Sequence, residues 1–410
     1  MAFIVNIAIW MAIMVCQHLD AALAGGRPNA FSEGQNAFAG IVNPANAVWI
    51  RDRLDIGGFW IHQKSSLNNV DGNPFFPKGK IDTAYRVNDL FSGDMAIHKV
   101  LKAVGSEVSF SLATYTTPSF TETQTKEPLP LVGTTPIYVK NKTQVISAVL
   151  SYKAFENFSV GVSIDYFRFT HKRNGFQRSD NPLRSVSPGH VTNKGNDFSG
   201  GIGFTLGWRW NITKTLCFGA ALAKKSYCGS YRKYRGYEPH HAKNYVPETF
   251  GAGFRYFLTS KLAGRLEVLW SNLGNLPGAN DNFLPNGEVN RNLRGSTDSP
   301  GPGLQDATFI NVGLGYQFSK QLSVGTGLSH RLKHARRNNS FLSQSYTRGV
   351  IYDLLSFGVN FNTDKHNLFF SFAYGFENNS TGTLPVAAGG GRMNSRRRTT
   401  TCSLSWGYLY

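Results

Sequence analysis

The sequence predicts an all-β fold, a transmembrane antiparallel β-barrel of 14 strands with an N-terminal plug in its lumen. Three observations indicate this fold. Large apolar residues occupy every second position over most of the chain, short and long connections alternate, and glycine makes up 43 of the 410 residues. Alternation with a period of two is the pattern of a strand that has one apolar face. Short turns at one end and long loops at the other are typical of membrane barrels.

The composition excludes several other classes of protein. Charged residues are 17% of the chain, below the roughly 25% of soluble domains. Aromatic residues reach 13%, which a disordered chain would lack. The only long apolar run lies at the N-terminus, and this excludes a bundle of transmembrane helices. The net charge of +18 keeps nucleic acid and an anionic membrane surface open as partners.

The first residues have the pattern of a secretory signal peptide. Residues 3–15 form a short apolar run, and residues 22–24 read Ala-Leu-Ala, an A-x-A cleavage pattern. No Lys or Arg precedes the run, and the first basic residue is Arg27. A membrane anchor or a buried helix is the alternative, although the run is shorter than the ~20 residues that a spanning helix needs.

The alternation is clear in the middle of the chain. Phe158, Val160 and Val162 are apolar, whereas Ser159 and Gly161 between them are small or polar. Soluble sandwiches alternate in the same way, but they seldom place a long loop at every second connection. The alternation and the loop pattern together therefore favour a barrel that turns its apolar face to lipid and its small and polar face to the lumen.

The predicted strands follow one another along most of the chain. Thirteen of them cover residues 53–64, 107–118, 142–153, 157–170, 196–210, 213–225, 246–258, 261–272, 305–319, 321–333, 348–361, 366–377 and 399–410. The pattern assigns residues 84–103 either to a further strand or, over 95–104, to a short helix. Bacterial barrels have an even number of strands, so we predict that this segment is the fourteenth.

These spans divide the chain into three parts. Residues 1–24 are the predicted signal peptide, 25–52 the plug and 53–410 the barrel. Tyr152 and Trp210 lie beside short turns, where membrane barrels carry an interfacial belt of aromatic residues. We therefore predict that the protein resides in the bacterial outer membrane.

An ordered set of motifs resembles a known family. Asn43, Pro44 and Ala45 form an Asn-Pro-Ala step directly before the first predicted strand. Further matches follow in order at 108–112, 115–118, 151–153, 157–161, 247–254, 312–316 and 355–359. Over roughly residues 43–410 the chain is similar to the FadL/TodX family of outer-membrane transporters for long-chain fatty acids and other hydrophobic compounds.

The resemblance implies a monomeric 14-strand barrel that is closed by its N-terminal segment. It implies capture of a hydrophobic ligand in an external groove, transfer to a site beside the plug, and passive diffusion as the plug and a kinked strand move. Asn43, Pro44 and Ala45 correspond to plug residues near the ligand site. The plug of this chain is short, and its second strand fits the family pattern poorly. Independently of the family, proline at this point is also consistent with a simple turn before a strand.

Several charged residues are expected on the inward faces of the strands. They are Asp165, Arg209, Arg255, Arg265, Glu267, Arg331 and Asp353. A charge that faced lipid would cost about 2–4 kcal/mol at the bilayer midplane, whereas a wet lumen lets it pair. These residues either connect the plug to the wall or line the ligand path, where an arginine is able to hold a carboxylate.

Basic residues also gather in the predicted external loops, for example at 232–235 and 396–398. Lipopolysaccharide phosphates explain these charges better than nucleic acid does, and attraction of anionic ligands such as fatty acids is a third reading. Apolar residues at 283–285, 341–342 and 384–386 are candidates for an external capture groove, and the alternative is that they only pack the loops against one another. The aromatic C-terminal strand is expected to address the outer-membrane assembly machinery.

No catalytic arrangement is evident, and we predict no enzyme activity, no cofactor and no metal site. The spacing of His240 with His241 and of His330 with His334 would suit metal ligands, but we interpret these histidines as solvated loop residues. The cysteines of the mature chain are predicted to be free thiols, because Cys217 and Cys228 lie at opposite ends of one strand. The predicted function is passive transport of long-chain fatty acids or other hydrophobic molecules. The alternative is a surface adhesin whose basic loops bind polyanions; an outer-membrane hydrolase is disfavoured.

Overall fold

The computed structural model describes residues 36–74, 79–81, 89–103, 106–117, 121–128, 132–276, 290–301, 305–332, 353–383 and 389–410. Across these residues the chain forms a closed antiparallel barrel of 14 strands, as the sequence predicts. The predicted signal peptide and the first part of the predicted plug, 25–35, lie outside the described residues. No helix in the described part of the chain is long and apolar enough to cross a membrane.

The barrel strands are numbered here in chain order, and three of them are interrupted. They are β1 Arg53–Asn69, β2 Asp89–Ala103, β3 Ser106–Thr116 with Thr121–Pro128, β4 Pro136–Phe155, β5 Phe158–Asn174, β6 Asp197–Asn211, β7 Leu216–Ala223 with Ser226–Ser230, β8 Lys243–Val246 with Thr249–Phe257, β9 Leu262–Ser271, β10 Ala307–Gln317, β11 Leu322–Arg331, β12 Asp353–Asn362, β13 His366–Thr383 and β14 Arg392–Leu409. A three-residue strand, Gly79–Ile81, pairs with the outer end of β1.

The barrel closes where its first and last strands meet. β1 and β14 pair without interruption from Arg53 opposite Leu409 to Asn69 opposite Met393. The start of β1 and the end of β14 therefore lie at the end of the barrel that carries the short turns. In barrels of this kind that end faces the periplasm. Closure gives every barrel strand two neighbours and removes the unpaired edges that an open sheet would expose to lipid.

The outer surface carries the apolar half of the alternation. Large side chains that are about half exposed include Ile56, Ile97, Ile164, Ile202, Phe204, Leu206, Leu266, Val312, Phe357, Phe370 and Leu404. Their neighbours in sequence point inward and are mostly Gly, Ser, Thr or charged residues. A soluble domain rarely exposes such a continuous apolar surface, so this face is suited to the hydrocarbon core of a bilayer.

The segment 84–103 is a strand from Asp89 onward, and the helical alternative is wrong. Phe91, Met95 and Ile97 are strongly exposed, whereas Ala96 and His98 are buried. This alternation has a period of two, and β2 pairs with β1 on one side and with β3 on the other.

Short helical pieces lie inside the barrel and in the external loops. Inside are a four-residue α-helix, α1 Ala39–Val42, and a 3₁₀ helix, Pro44–Trp49. Outside are the 3₁₀ turns Gln177–Ser179 and Arg232–Tyr234 and the left-handed turn Pro239–Ala242, designated α2. Within α2, His240, His241 and Ala242 have positive φ angles, which non-glycine residues rarely adopt.

Candidate functional site

Residues 36–52, called the luminal segment from here on, lie against the inward faces of the barrel strands. Glycines on the wall make room for them. A Cβ at Gly161 would lie 2.5 Å from the carbonyl carbon of Pro44, and a Cβ at Gly207 would lie 2.9 Å from Cδ of the same proline. Only glycine permits this approach, so part of the glycine excess serves contact between the luminal segment and β5 and β6.

Asn43 anchors the luminal segment by its side chain. Its Nδ2 donates to the carbonyl oxygens of Trp208 and Ala220, both at 3.1 Å, and these two residues face each other on β6 and β7. Its Oδ1 accepts the N–H of Ala45 at 3.1 Å. Asn43 therefore caps the 3₁₀ helix and binds the wall at once, while Pro44 takes the first helical position, where a missing N–H costs nothing.

A second group of contacts continues along the 3₁₀ helix. Ser159 on β5 donates from Oγ to the carbonyl of Ala45, and the indole N–H of Trp49 donates to the same Oγ, both at 2.8 Å. Two cations, Lys153 and Arg209, each lie 4.9 Å from the centre of the Trp49 ring. The family resemblance predicts Asn43, Pro44 and Ala45 as plug residues near the ligand site. The contacts seat them against β5, β6 and β7, and none of the three is among the described residues that line the pocket described next.

The two ends of the luminal segment contact the closing region of the barrel. Asp55 on β1 accepts the N–H of Ala37 at 2.6 Å and forms a buried ion pair with Arg53, also at 2.6 Å. At the other end Asp52 accepts from the N–H of Val100 at 2.7 Å and from Lys99 at 2.5 Å. The segment is thus held at both ends as well as in the middle.

A pocket opens between the start of the luminal segment and the wall formed by β1, β2, β3, β13 and β14. It contains about 550 Å³ of empty space, part of it open to solvent. Its apolar lining comprises Phe38, Ile41, Phe59, Tyr115 and Phe369, and its polar lining comprises Asn36, Asp94, Thr116, Ser403 and Ser405. An apolar pocket with a few placed polar groups is the usual form of a site for a small hydrophobic ligand.

The apolar side of the pocket belongs to a packed cluster. Phe38 and Ile41 contact Tyr115 and Val145 on the wall, and Phe167 packs against the same group. The luminal segment is therefore attached to the wall by hydrophobic contacts on one side of the pocket and by hydrogen bonds on the other. Any movement of residues 36–41 would change the shape of the pocket.

The pocket also lies beside a break in the pairing between β2 and β3, as far as the described residues show it. β2 and β3 pair from Ala103 opposite Ser106 as far as Met95 opposite Thr114. Beyond that point, within the described residues, β2 pairs with β1 alone. β3 is interrupted there, and the pairing of β3 with β4 resumes at Thr121 opposite Asn141. The Thr116 N–H, which ends the first part of β3, donates to Asp94 at 3.1 Å.

Six of the seven predicted luminal charges do share the inward side of their strands. Asp165 accepts hydrogen bonds from Ser147 at 2.5 Å and Ser163 at 3.0 Å. Arg265 and Glu267 form a buried ion pair at 3.3 Å on β9. The guanidinium groups of three others lie over aromatic rings, Arg209 over Trp49, Arg255 over Phe257 and Arg331 over Phe309. None of the six lines the pocket described above.

Asp353 is a correction to the sequence analysis, because it does not face the lumen. It shares the side of β12 that exposes Leu355 and Phe357, and its side chain is 44% exposed. It pairs with His330, which lies on the outer side of β11. The pair is at the external end of both strands, above the apolar surface, where water and headgroups solvate charge.

Sequence reasoning did not find the charged residues closest to the site. Leu54 and Ile56 are apolar and face outward, so the same alternation places Arg53 and Asp55 on the inward side. The sequence pattern could therefore have predicted this pair. Asp94 lies in the strand with the weakest pattern, and nothing in its neighbourhood marks it as a pocket residue. Its position depends on the break between β2 and β3.

The external loops that are described form a separate cluster of aromatic and charged residues. Arg173 pairs with Glu238 and lies 3.9 Å from the centre of the Tyr237 ring. Burial by itself raises the pKa of Glu238, but the charges of Arg173 and His171 outweigh burial, so that the pKa lies below its usual value. This cluster orders the basic loop 232–235. The apolar loop residues at 283–285, 341–342 and 384–386 lie outside the described residues.

The described cysteines confirm the expectation of free thiols. Cys217 and Cys228 lie at opposite ends of β7 and are buried, and Cys402 is partly exposed on β14. None of the three is in a disulfide.

The fold and its apolar outer face define an outer-membrane β-barrel with a segment in its lumen. By sequence, no model of a known protein family and no characterised protein matches the chain. By structure, it is similar to the toluene transporter TodX of *P. putida*, with a TM-score of 0.66 and 10% identity over 94% of this chain and 99% of that one. It is also similar to a *Pseudomonas aeruginosa* FadL homologue, with a TM-score of 0.61 and 12% identity over 97% and 99% of the two chains.

A third similar structure is the toluene transporter TbuX of *Ralstonia pickettii*, with a TM-score of 0.60 and 12% identity over 98% of this chain and all of the other. The resemblance to the FadL/TodX family is thereby confirmed at the level of the fold. The likeness extends over nearly the full length of each chain.

Proposed function

We propose that the protein is a passive channel that carries hydrophobic small molecules across the outer membrane. The observation that carries this proposal is the pocket between the luminal segment and the wall, with Phe38, Ile41, Phe59 and Phe369 on its apolar side. The break between β2 and β3 beside it offers a path between the pocket and the outside of the barrel. No energy source is needed, since the ligand moves down its gradient.

In this proposal residues 25–52 act as a plug that blocks the lumen to water and ions. Its support is the set of contacts by which Asn43, Pro44 and Ala45 seat the segment against β5, β6 and β7. The ligand then bypasses the blocked lumen through the pocket. We keep residues 1–24 as the signal peptide and propose that the barrel is monomeric and inserted by the outer-membrane assembly machinery through its last strand.

The ligand is an apolar molecule of modest size, of which a long-chain fatty acid and a monoaromatic hydrocarbon are the two main candidates. The sequence predicts long-chain fatty acids or other hydrophobic molecules, and two structurally similar proteins are named toluene transporters. No arginine or lysine is among the described residues that line the pocket, although a carboxylate headgroup would be expected to need one. The pocket therefore favours an uncharged hydrophobe.

Uptake by whole cells tests the function. Cells that lack their own uptake proteins and express this chain should accumulate labelled toluene faster than cells with an empty vector. Ser405→Phe should abolish the gain, because Ser405 faces Gly57, which has no Cβ, and a phenyl ring there enters the pocket. Ser329→Phe on β11, inward but away from the pocket, is the matched control and should leave uptake unchanged. Equal uptake with and without the wild-type protein would refute the proposal.

We propose lipopolysaccharide as a second, structural partner. Lys64 and Arg398 face each other across β1 and β14 on the outer side, and Arg396 is two residues further out. All three lie toward the external end from Trp60, the type of residue that marks the membrane interface. Lipid A phosphates at this level would pair with them. The adhesin alternative from the sequence remains a prediction, for which no contact of the described loops gives specific support.

A further inference from the structure

The pocket carries a carboxylate that no described residue of the barrel neutralises by direct contact. Asp94 lies on the inward side of β2, in line with Ala96 and His98, and lines the pocket. One of its oxygens, Oδ1, accepts the Thr116 N–H at 3.1 Å. Within the described residues the other oxygen, Oδ2, has no hydrogen-bond partner, so it is available to a ligand.

A second acceptor lies at the same pocket. Asn36, at the start of the luminal segment, is only 7% exposed, and its Oδ1 has no hydrogen-bond partner among the described residues. A buried polar atom without a partner is costly, and a ligand or a water molecule normally supplies one. The amide of Asn36 is able to rotate and donate instead, but an ionised carboxylate only accepts. Asp94 therefore fixes the polarity of the site.

The surrounding charges do not reverse this polarity. Among the described residues that line the pocket, Asp94 is the one charged group. Lys142 on β4 acts on Asp94 electrostatically but is not part of the lining. A carboxylate that entered the pocket would meet a like charge in a space with few polar groups to screen it.

We propose that this pocket selects hydrophobic molecules that bear a hydrogen-bond donor, such as a phenol or an alcohol, over the same molecule ending in a carboxylate, and that Asp94 is the residue that sets this preference. The inference rests on the proposed function and narrows its substrate class. The apolar body of the ligand packs against Phe38 and Phe369, and its hydroxyl donates to Oδ2 of Asp94. A hydrocarbon of the same shape fits but leaves both acceptors without a partner, so it binds less tightly.

Three ligands with one apolar body separate these effects. They are 4-propylphenol, 4-propylbenzoate and 4-propyltoluene. At pH about 7.5 the phenol is neutral and the benzoate is anionic. Binding of each labelled compound to the full-length mature barrel in nanodiscs is measured by equilibrium dialysis, with empty nanodiscs as the blank for partition into lipid.

The wild-type protein should bind 4-propylphenol about tenfold or more tightly than 4-propylbenzoate, since a like charge opposes the carboxylate. Asp94→Asn should bring the two within about threefold, because it removes the charge but keeps an acceptor for the Thr116 N–H and a partner for the phenol. Asp165→Asn removes a luminal carboxylate outside the pocket and should leave the wild-type ratio unchanged. Heat-modifiable migration on SDS gels verifies that each variant is folded.

The outcomes distinguish the two proposals. The role of Asp94 is overturned if the wild type binds the benzoate as tightly as the phenol. It is also overturned if Asp94→Asn leaves the phenol-to-benzoate affinity ratio unchanged. In both cases the channel function stands. The same holds if Asp165→Asn changes the ratio as much as Asp94→Asn does. If the wild type binds none of the three above the empty nanodiscs, the pocket is not a ligand site and the proposed function fails with it.

Discussion

For two asparagines of the luminal segment, we expect replacement by alanine to have opposite effects on how firmly the segment is held. Asn43 is fully buried, and its side chain hydrogen-bonds two wall carbonyls and the Ala45 N–H. Asn46, three residues later, is 2% exposed, but neither its side-chain nitrogen nor its oxygen has a hydrogen-bond partner among the described residues. Replacing each with alanine therefore isolates the contribution of hydrogen bonding at nearly constant burial.

Asn43→Ala should weaken the seating of the luminal segment by about 3 kcal/mol. The lost cap contributes about 1 kcal/mol, and each of the two bonds to the wall about 1 kcal/mol. Since about 1.4 kcal/mol corresponds to a factor of ten, local opening should become about a hundredfold more frequent. Asn46→Ala should have little effect or stabilise slightly, because it removes two polar atoms that are buried without partners.

Hydrogen exchange followed by mass spectrometry measures this directly. The amides of Asn46 and Ile50, which donate to Asn43 and Ala47 within the 3₁₀ helix, report on opening of the segment. Amides in the middle of β4 serve as the internal reference and should not change. Equal acceleration by the two substitutions would refute the reasoning, because it would mean that side-chain volume rather than hydrogen bonding seats the segment.

Two further predictions concern the lumen and the loops. Gly161→Val should raise the ion conductance of the barrel in planar bilayers, because its Cβ would lie 2.5 Å from the Pro44 carbonyl carbon and displace the segment; an unchanged conductance would argue against a plug. Wild-type external loops should become more sensitive to protease in acid. Glu238→Gln should give the same sensitivity already at neutral pH. The folded pKa of Glu238 is lowered, so its contribution is present above its ordinary pKa of about 4.5 and is lost as the pH falls through the lower folded value. Protection that persists in the variant would contradict this.

The strands were accessible to sequence reasoning because the membrane imposes a strong rule on each of them. Every spanning strand must turn apolar residues to lipid at every second position, and this pattern predicted 13 of the strands. The fourteenth, β2, was predicted from the even strand number of bacterial barrels. β2 was ambiguous, because Gly93 and Lys99 interrupt the apolar residues on its outward side. Its two neighbours in the sheet still hold it in place. Asp353 was assigned to the wrong side, although the alternation that begins at Leu355 places it outward.

The candidate site was less accessible. That Asn43 lies near the ligand site stays a prediction from the family resemblance. The two wall carbonyls that Asn43 binds come from residues more than 160 positions away in the chain. The pocket joins Asn36, Asp94 and Ser403 from three distant parts of the sequence. No local pattern signals such a meeting, because it depends on how the barrel closes and where β3 leaves β2.

The sequence alone determined the architecture, namely strand number, the direction of the apolar faces and the end of the barrel that carries long loops. Each of these follows from local alternation and from turn length, which the bilayer imposes residue by residue. Only the tertiary structure decided what lies inside. Two examples are the seating of Pro44 against Gly161 and the position of a carboxylate in the pocket. Both require strands that are far apart in the chain to meet around one luminal segment. The physical reason is that close packing in the lumen depends on partners that the local sequence does not contain, whereas exposure to lipid does not.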